Sequence, residues 1–415
     1  MEFVTIVIYL SVYMGLISTS FYIMSFIAGE KKKKPLYTDK ELVNVKVTVI
    51  IPAYNEEDTI EKTVKSVVKS RYPNFEVIVV DDGSKDKTFE IAKRLETADG
   101  KVRVFHKENG GKGTALNFGI KKASGKIIFT MDADTTVHPD SMKKMVRFFK
   151  DDTVMSVTPA MIINNPRTIF QRIQYTEYAL GLFLRKAFSA LRAIYIAPGA
   201  FSAYRKAFFD KYGGYDEHNI TEDLEMGLRI QYNGFHTENC PEAPAYTNAP
   251  ATFKELTMQR RRWYFGQVRN LWKYRKIISR KYGDLGAFVI PTSILATLFS
   301  VTITIYLFFK ILFKVKENIL FLQSVNFDFP SAFNINLYVL ERFLFLWITK
   351  PVVLFTLCFM VILGFYTFYA SKKIGKPPLM LLNWMLFFLL FAIMYGFWWV
   401  FSLFYSLTRK TIKWK

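Results

Sequence analysis

Two kinds of apolar patterning alternate along the chain. Residues 4–28 are uncharged throughout and about as long as one membrane span, as are residues 285–309 and 379–407. Between the last two, residues 337–370 are interrupted by Glu341, Arg342 and Lys350, so the cleanest span there is 351–370. In the middle of the chain the apolar runs are short and alternate with amphipathic stretches. Strands are predicted at residues 45–51, 75–80, 102–106 and 127–131. A helix is expected from Asp58, as N-cap, through Ser70, with Ile60, Val64, Val67 and Val68 on one face. Two more are expected over residues 87–98 and 113–122. Strands alternating with helices of these lengths predict βαβ units and a parallel sheet, and right-handed crossovers would gather the strand-end loops on one rim.

That rim is where the chemistry collects. The run at 127–131 ends in Asp132-Ala133-Asp134, two carboxylates at i and i+2 that can turn to one side and share a ligand. Hard oxygen ligands of this kind suit Mg²⁺ or Mn²⁺ held against a diphosphate, although a lone Asp-x-Asp reads more often as a solvated turn. Asp81 and Asp82 follow the second strand and Lys112 follows the third, so acids able to bind ribose, uracil or metal converge with a cation for phosphate. No G-x-G-x-x-G follows the first strand, and Gly110-Gly111-Lys112-Gly113-Thr114 lacks the spacing of a P-loop.

The chain of 415 residues carries a formal charge of +21, which first suggests nucleic acid. The placement of the charge points to a membrane surface instead. Lys31 to Lys34 follow the first apolar stretch, and Lys372, Lys373 and Lys376 stand between the last two. No nucleic-acid-binding signature is present, so nucleic acid is not expected as a partner. The two cysteines, Cys240 and Cys358, exclude a disulfide framework or a Cys-type metal site. The first stretch lacks a basic n-region and a small-residue cleavage site and is expected to stay as an anchor. Residues 166–193 form a long aromatic and cationic stretch, with Arg172, Arg185, Lys186 and Arg192, that reads either as an interfacial helix or as a core helix.

Six short motifs, taken together, carry a resemblance. Pro52-Ala53-Tyr54-Asn55-Glu56, Asp81-Asp82-Gly83-Ser84, Lys112-Gly113 and Asp132-Ala133-Asp134 resemble the nucleotide-sugar half of family 2 glycosyltransferases with the GT-A fold. Thr221-Glu222-Asp223 and Gln259-Arg260-Arg261-Arg262-Trp263 resemble the TED and QxxRW motifs of its membrane-embedded processive branch, the cellulose, hyaluronan, chitin and poly-N-acetylglucosamine synthases. The resemblance implies an α/β GT-A domain with a Rossmann-like mixed sheet over residues 31–250. An N-terminal membrane helix at 1–30, a QxxRW helix and interfacial region at 251–284 and a helical membrane region of about three spans at 285–415 would complete the chain. It further implies Asp223 as catalytic base and a donor site of Ala53, Tyr54, Glu56, Asp82, Lys112, Asp132, Gln259 and Arg262. The metal would sit on Asp132 and Asp134, and the acceptor would meet Gly199, Ala200, Glu222 and Trp263.

Several alternatives remain beside these roles. Thr221 also reads as a helix cap with acids on the helix dipole, the three arginines as a basic face on anionic lipid, and Trp263 as an interfacial anchor. His106, His138, His218 and His236 show no ligand spacing. The expected activity is inverting transfer from a UDP-sugar to a β-linked polysaccharide, nearest to poly-N-acetylglucosamine synthases, with passage of the product through the enzyme's own spans. A single-transfer glycolipid enzyme and an inactive transporter or scaffold are the competing classes. The expected partners are a UDP-sugar, a polysaccharide or lipid acceptor and membrane lipids; an accessory subunit is conceivable but the sequence names none. A multi-pass cell-membrane location with a cytoplasmic catalytic domain follows from Lys31 to Lys34. Three spans after that domain would leave the basic residues of 409–413 outside, against the positive-inside rule.

Overall fold

The computed structural model describes residues 3–31, 34–324, 341–342, 345, 350–374 and 380–407. Lys32, Lys33, most of 337–349, Lys376 and the basic tail at 409–413, all used in the sequence reading, lie outside the described residues.

The centre of the molecule is one eight-stranded sheet, ordered β3-β2-β1-β4-β7-β6-β8-β5. Its strands are β1 (Val47–Ala53), β2 (Phe75–Asp81), β3 (Val102–His106), β4 (Ile127–Met131), β5 (Thr136–Val137), β6 (Val154–Ile163), β7 (Phe201–Arg205) and β8 (His236–Thr247). The four strands expected from sequence are parallel neighbours, as anticipated. The sheet as a whole is mixed, because β7 runs antiparallel to both β4 and β6. That reversal matters for the site. Met131 pairs with Phe201, so the residues entering β7 lie beside those leaving β4. Ala53, Asp81 and His106 share one level of the register, which builds the expected rim.

Helices cover both faces, which is why β1 and β2 are buried along their whole length. On one face Val49, Ile51, Val77 and Val79 pack with Ile60, Val64 and Val67 of α2 (Ile60–Val68). On the other, Ile50, Ile78 and Val80 pack with Ala115, Leu116 and Ile120 of α4 (Lys112–Lys122). Between them, α3 (Thr88–Lys93) is shorter than the sequence suggested. The reason is local. β3 is an edge strand, and Glu96 Oε1 and Thr97 Oγ1 leave the helical path to accept the N–H groups of Val104 (3.1 Å) and Val102 (3.0 Å). Asp58 is not the cap of α2; Thr59 stands there, and its side chain makes no capping bond.

Outside the sheet, α1 (Phe3–Lys31), α8 (Ile290–Ser324), α9 (Pro351–Ile374) and α10 (Ala392–Leu407) are apolar. Among the described residues, three stretches are long and apolar enough to cross a membrane: Phe3–Gly29, Leu285–Phe321 and Leu382–Ser406. The helix at Pro351 forms as expected, with a shorter apolar part, Val353–Ile362. Joining the two regions is α5 (Ile169–Ala190), which starts in a capping box between Thr168 and Gln171. It sets Ala179 and Leu182 against Ala160 of the sheet. Its Phe183 meets Phe26 of α1 (4.7 Å between ring centroids) and stacks on Tyr366 of α9 at 3.9 Å. The cationic stretch is thus a helix buried between the sheet and the apolar helices.

Candidate active site

The rim brings together most of the residues singled out by sequence. Lys112 opens α4, and its Nζ donates to Asp132 Oδ1 at 2.6 Å and lies 3.2 Å from Glu222 Oε1. Burial works against the charged amine, but the carboxylates of Asp132, Glu222 and Asp223 outweigh it and raise the ammonium above its ordinary range. Asp134 stands next to Asp132. Burial first, then the charges of Asp132 and Glu56, push its carboxyl up to about 7. Burial likewise raises Glu56, whose carboxylate accepts from Thr59 Oγ1 at 2.6 Å. One lysine therefore faces a group of acids held out of water.

Asp223 and Glu222 lie in the first turn of α6 (Glu222–Tyr232). Asp223 is fixed at both oxygens: Oδ2 accepts from the Gly199 N–H (3.1 Å) and Oδ1 from the Leu224 N–H (2.8 Å). Burial raises the Glu222 carboxyl, with Lys112 opposing it. Gly199 is where Lys112 and Asp223 come closest to the β7 loop. A Cβ there would stand 2.9 Å from Lys112 Nζ and at ordinary contact, 3.5 Å, from Asp223 Oδ2, so a side chain would shift the lysine amine. Ala200 completes the join, its carbonyl accepting from the Asp132 N–H at 3.1 Å.

Thr221 sits at the cap position of α6 but makes no side-chain cap bond. Its Oγ1 is taken instead by Asn270 Nδ2 at 2.9 Å. Asn270 belongs to α7 (Phe253–Lys273), the helix that carries Gln259, Arg262 and Trp263. The approach is close enough to require Gly266, where a Cβ would come within 2.1 Å of Thr221 Oγ1. Sequence reasoning passed over Gly266 and Asn270, yet they set the helix that carries Asp223 against the QxxRW helix. On α7, Gln259 Oε1 is buried with no partner among the described residues. Trp263 is half-buried, with the Arg260 guanidinium 4.5 Å from its ring centroid.

The first two loops are interlocked rather than free. Ala53 closes β1, Tyr54 follows it half-buried, and Asn55 has φ 54°. The Asn55 N–H donates to Ser84 Oγ (3.0 Å) and Glu56 N–H to Thr88 Oγ1 (2.7 Å). Asp82 is turned towards the glycine loop: it accepts from Lys107 Nζ (2.6 Å) and from the N–H groups of Gly110 (3.1 Å) and Gly111 (2.7 Å). Asp81 Oδ2 lies 2.6 Å from His106 Nδ1, while its buried Oδ1 has no partner among the described residues. His106, an ordinary histidine by spacing, is therefore a rim residue through its place at the end of β3.

Among the described residues, no group of three or more His, Cys, Asp or Glu side chains is arranged as a metal cage. The residues present still fit a divalent cation bound together with a diphosphate. Asp132 and Asp134 offer hard oxygens, and a cation between them would lift the penalty that pushes the Asp134 carboxyl up.

Residues 48–213 match the family model described as Glycosyl transferase family 2. The chain resembles that family over these residues. It is similar to the poly-beta-1,6-N-acetyl-D-glucosamine synthase of Staphylococcus aureus (strain MSSA476), 32% identical over 262 residues, covering 62% of this chain and 63% of the synthase. The synthase of the same name from Staphylococcus epidermidis is 32% identical over 223 residues, 53% of this chain and 54% of that one. The match thus spans less than two thirds of each relative's length. A mannosyltransferase from Pyrobaculum calidifontis, solved in complex with GDP-Man and Mn²⁺, superposes with a TM-score of 0.53 over 88% of this chain and 98% of that one, at 20% identity. The chain therefore shares an overall fold with that solved mannosyltransferase.

Proposed function

We propose that the protein transfers a sugar from a UDP-sugar to the growing end of a β-linked polysaccharide at the membrane, inverting the anomeric centre, with poly-N-acetylglucosamine the favoured product. The observation that carries this reading is Lys112 spanning Asp132 and Glu222, with Asp223 tethered at Gly199 beside them. Donor-side and acceptor-side groups thereby meet at one amine.

Asp223 would take the proton of the acceptor hydroxyl as that oxygen attacks the anomeric carbon and the bond to the diphosphate breaks. Its two backbone hydrogen bonds hold the carboxylate at the loop edge without reorganisation. Lys112 would exchange its carboxylate partners for the departing diphosphate. Gln259 and Arg262 would add donors from α7. Asp132 and Asp134 would hold the divalent cation, Mg²⁺ or Mn²⁺, whose contribution is Lewis-acid neutralisation of the leaving group.

Passage of the product through the membrane is part of the proposal. It is supported by polar atoms buried among the apolar helices without partners among the described residues: Trp384 Nε1 and Ser402 Oγ. Such groups are costly in an apolar setting unless something polar visits them. Tyr264 of α7 stacks on Trp399 at 4.5 Å, so this region adjoins the site. The nucleotide-sugar site and the Lys31 to Lys34 cluster support a cytoplasmic catalytic domain.

The test is to incubate the purified protein with Mg²⁺ or Mn²⁺ and a panel of UDP-sugars, and to size the product. Polymer from UDP-N-acetylglucosamine is the expected result. A lipid carrying one sugar would replace the polymerase reading with the single-transfer one. Absence of transfer from every UDP-sugar would leave only a scaffold.

A further inference from the structure

Three arginines stand in a row at the centre of α7, and only one is withdrawn from water almost completely. Arg260 is 2% exposed. Its Nη1 and Nη2 donate in parallel to the two carboxylate oxygens of Glu177 on α5, at 2.7 and 2.6 Å. The guanidinium also lies 4.5 Å from the ring centroid of Trp263 and 5.7 Å from that of Trp398 on α10. Trp398 is 1% exposed and donates its Nε1–H to Thr257 Oγ1, also on α7, at 3.0 Å. Arg261 faces a different ring, Tyr405 at 5.2 Å.

We propose that Arg260 is a positioning residue that ties α7 at once to Glu177 of α5 and Trp398 of α10, and so sets which face of Trp263 meets the acceptor sugar. The proposal rests on the glycosyltransferase reading and names what orients its acceptor side. A planar fork paired with one carboxylate fixes rotation as well as distance, which an ammonium does not. With one face of the Trp263 indole covered by the guanidinium, a sugar ring has the other face on which to stack. Arg260 is spoken for by Glu177 and so is not a diphosphate ligand. That role falls to Arg262, about 200° further round the helix. Because Trp398 belongs to an apolar helix, a shift of α10 would reach Trp263 through the same guanidinium.

The experiment compares Arg260→Lys, Glu177→Gln and the double variant Glu177→Leu/Arg260→Met with the wild type in detergent or nanodiscs. A buried pair replaced by apolar residues of similar volume is often tolerated by the fold, so the double variant separates position from stability. We expect UDP affinity within about twofold of wild type and the KM for an acceptor oligosaccharide raised about threefold in all three, less than removal of the Trp263 indole itself. The double variant should show this at unchanged melting temperature. A tenfold loss of UDP affinity in Arg260→Lys would make Arg260 a donor ligand and overturn the proposal. Wild-type elongation by the double variant would overturn it as well, leaving the pair a matter of stability alone. If the wild type transfers no sugar, the activity reading falls and the clamp is still tested by indole fluorescence. The emission assigned to Trp263 by difference from Trp263→Phe must change in Arg260→Lys, and an unchanged signal overturns the clamp.

Discussion

The rim of the sheet and the centre of α7 both hold charge out of water, and they balance it in opposite ways. At the rim Asp132, Glu222 and Asp223 gather around one amine, Lys112, with Asp134 and Glu56 beside Asp132, and burial leaves Asp134 pushed up to about 7. In α7 one guanidinium meets one carboxylate in a two-point pair between two indoles. Among the groups named, the first arrangement has more acids than cations, the imbalance that the proposed divalent cation would correct. The second is matched in charge, with Arg260 Nε the one buried atom of the pair that has no partner among the described residues. A buried cluster that lacks a counter-charge marks a place of binding, whereas a matched buried pair marks a place of construction.

The sharpest way to break the comparison is at Asp223. Asp223→Asn keeps the shape and the Gly199 contact but accepts no proton, so turnover should fall by roughly 10²–10⁴-fold with UDP affinity kept. Turnover within tenfold of wild type would move the base to Glu222 and dissolve the distinction drawn at the rim.

The deficit of positive charge predicts a pH effect next. The folded carboxyl of Asp134 lies above its ordinary value of 3.8, so the folded state holds the proton more tightly than the unfolded chain. The stability this lends is present below the ordinary value and is lost as pH rises through about 7. A divalent cation competes with that proton. Mn²⁺ should therefore bind roughly tenfold more tightly at pH 8 than at pH 6, as calorimetry with UDP present would read. Asp134→Ala should abolish the pH dependence and, like excess chelator, bring transfer to background.

Much of the rim was legible because its signals are local. Short apolar runs ending abruptly in Asp, Gly or Asn give β1 to β4, and parallel pairing then places Asp81, Lys112 and Asp132 together. β6 and β8 were not read as strands. β6 carries Pro159 at a register shift and β8 contains Pro241 and Pro244, so neither shows an unbroken apolar or alternating run. The partners of α7 were beyond reach for another reason. Glu177 and Arg260 are 83 positions apart, and Thr221 and Asn270 are 49 apart. Nothing in the spacing of either pair marks the contact; only the packing of α5, α6 and α7 does.

Smaller effects sharpen the α7 side. Trp263→Ala should cost about 1 kcal/mol of acceptor binding, roughly a fivefold rise in its KM, while UDP affinity stays put. Normal elongation combined with loss from the membrane would make the indole an anchor. Smallest is Thr252→Ala. This residue caps α7 in a capping box with Glu255, so its loss should lower stability by about 1 kcal/mol and leave KM for both substrates unchanged, as thermal unfolding and kinetics would show.

The helix that follows the QxxRW region carries a consequence in length alone. The apolar stretch Leu285–Phe321 is 37 residues, about 55 Å of helix, against a hydrocarbon thickness of about 30 Å. Tilt absorbs only part of the excess, since at about 40° roughly 26 residues still suffice to cross. The excess is taken up in part at the near end, where Leu285, Val289 and Ile290 pack with Leu224 and Leu228, and the far end is marked by Lys310, Lys314, Lys316 and Glu317. One continuous rod thus runs from the packing around α6 to a charged far end, and it is longer than a bilayer crossing alone requires.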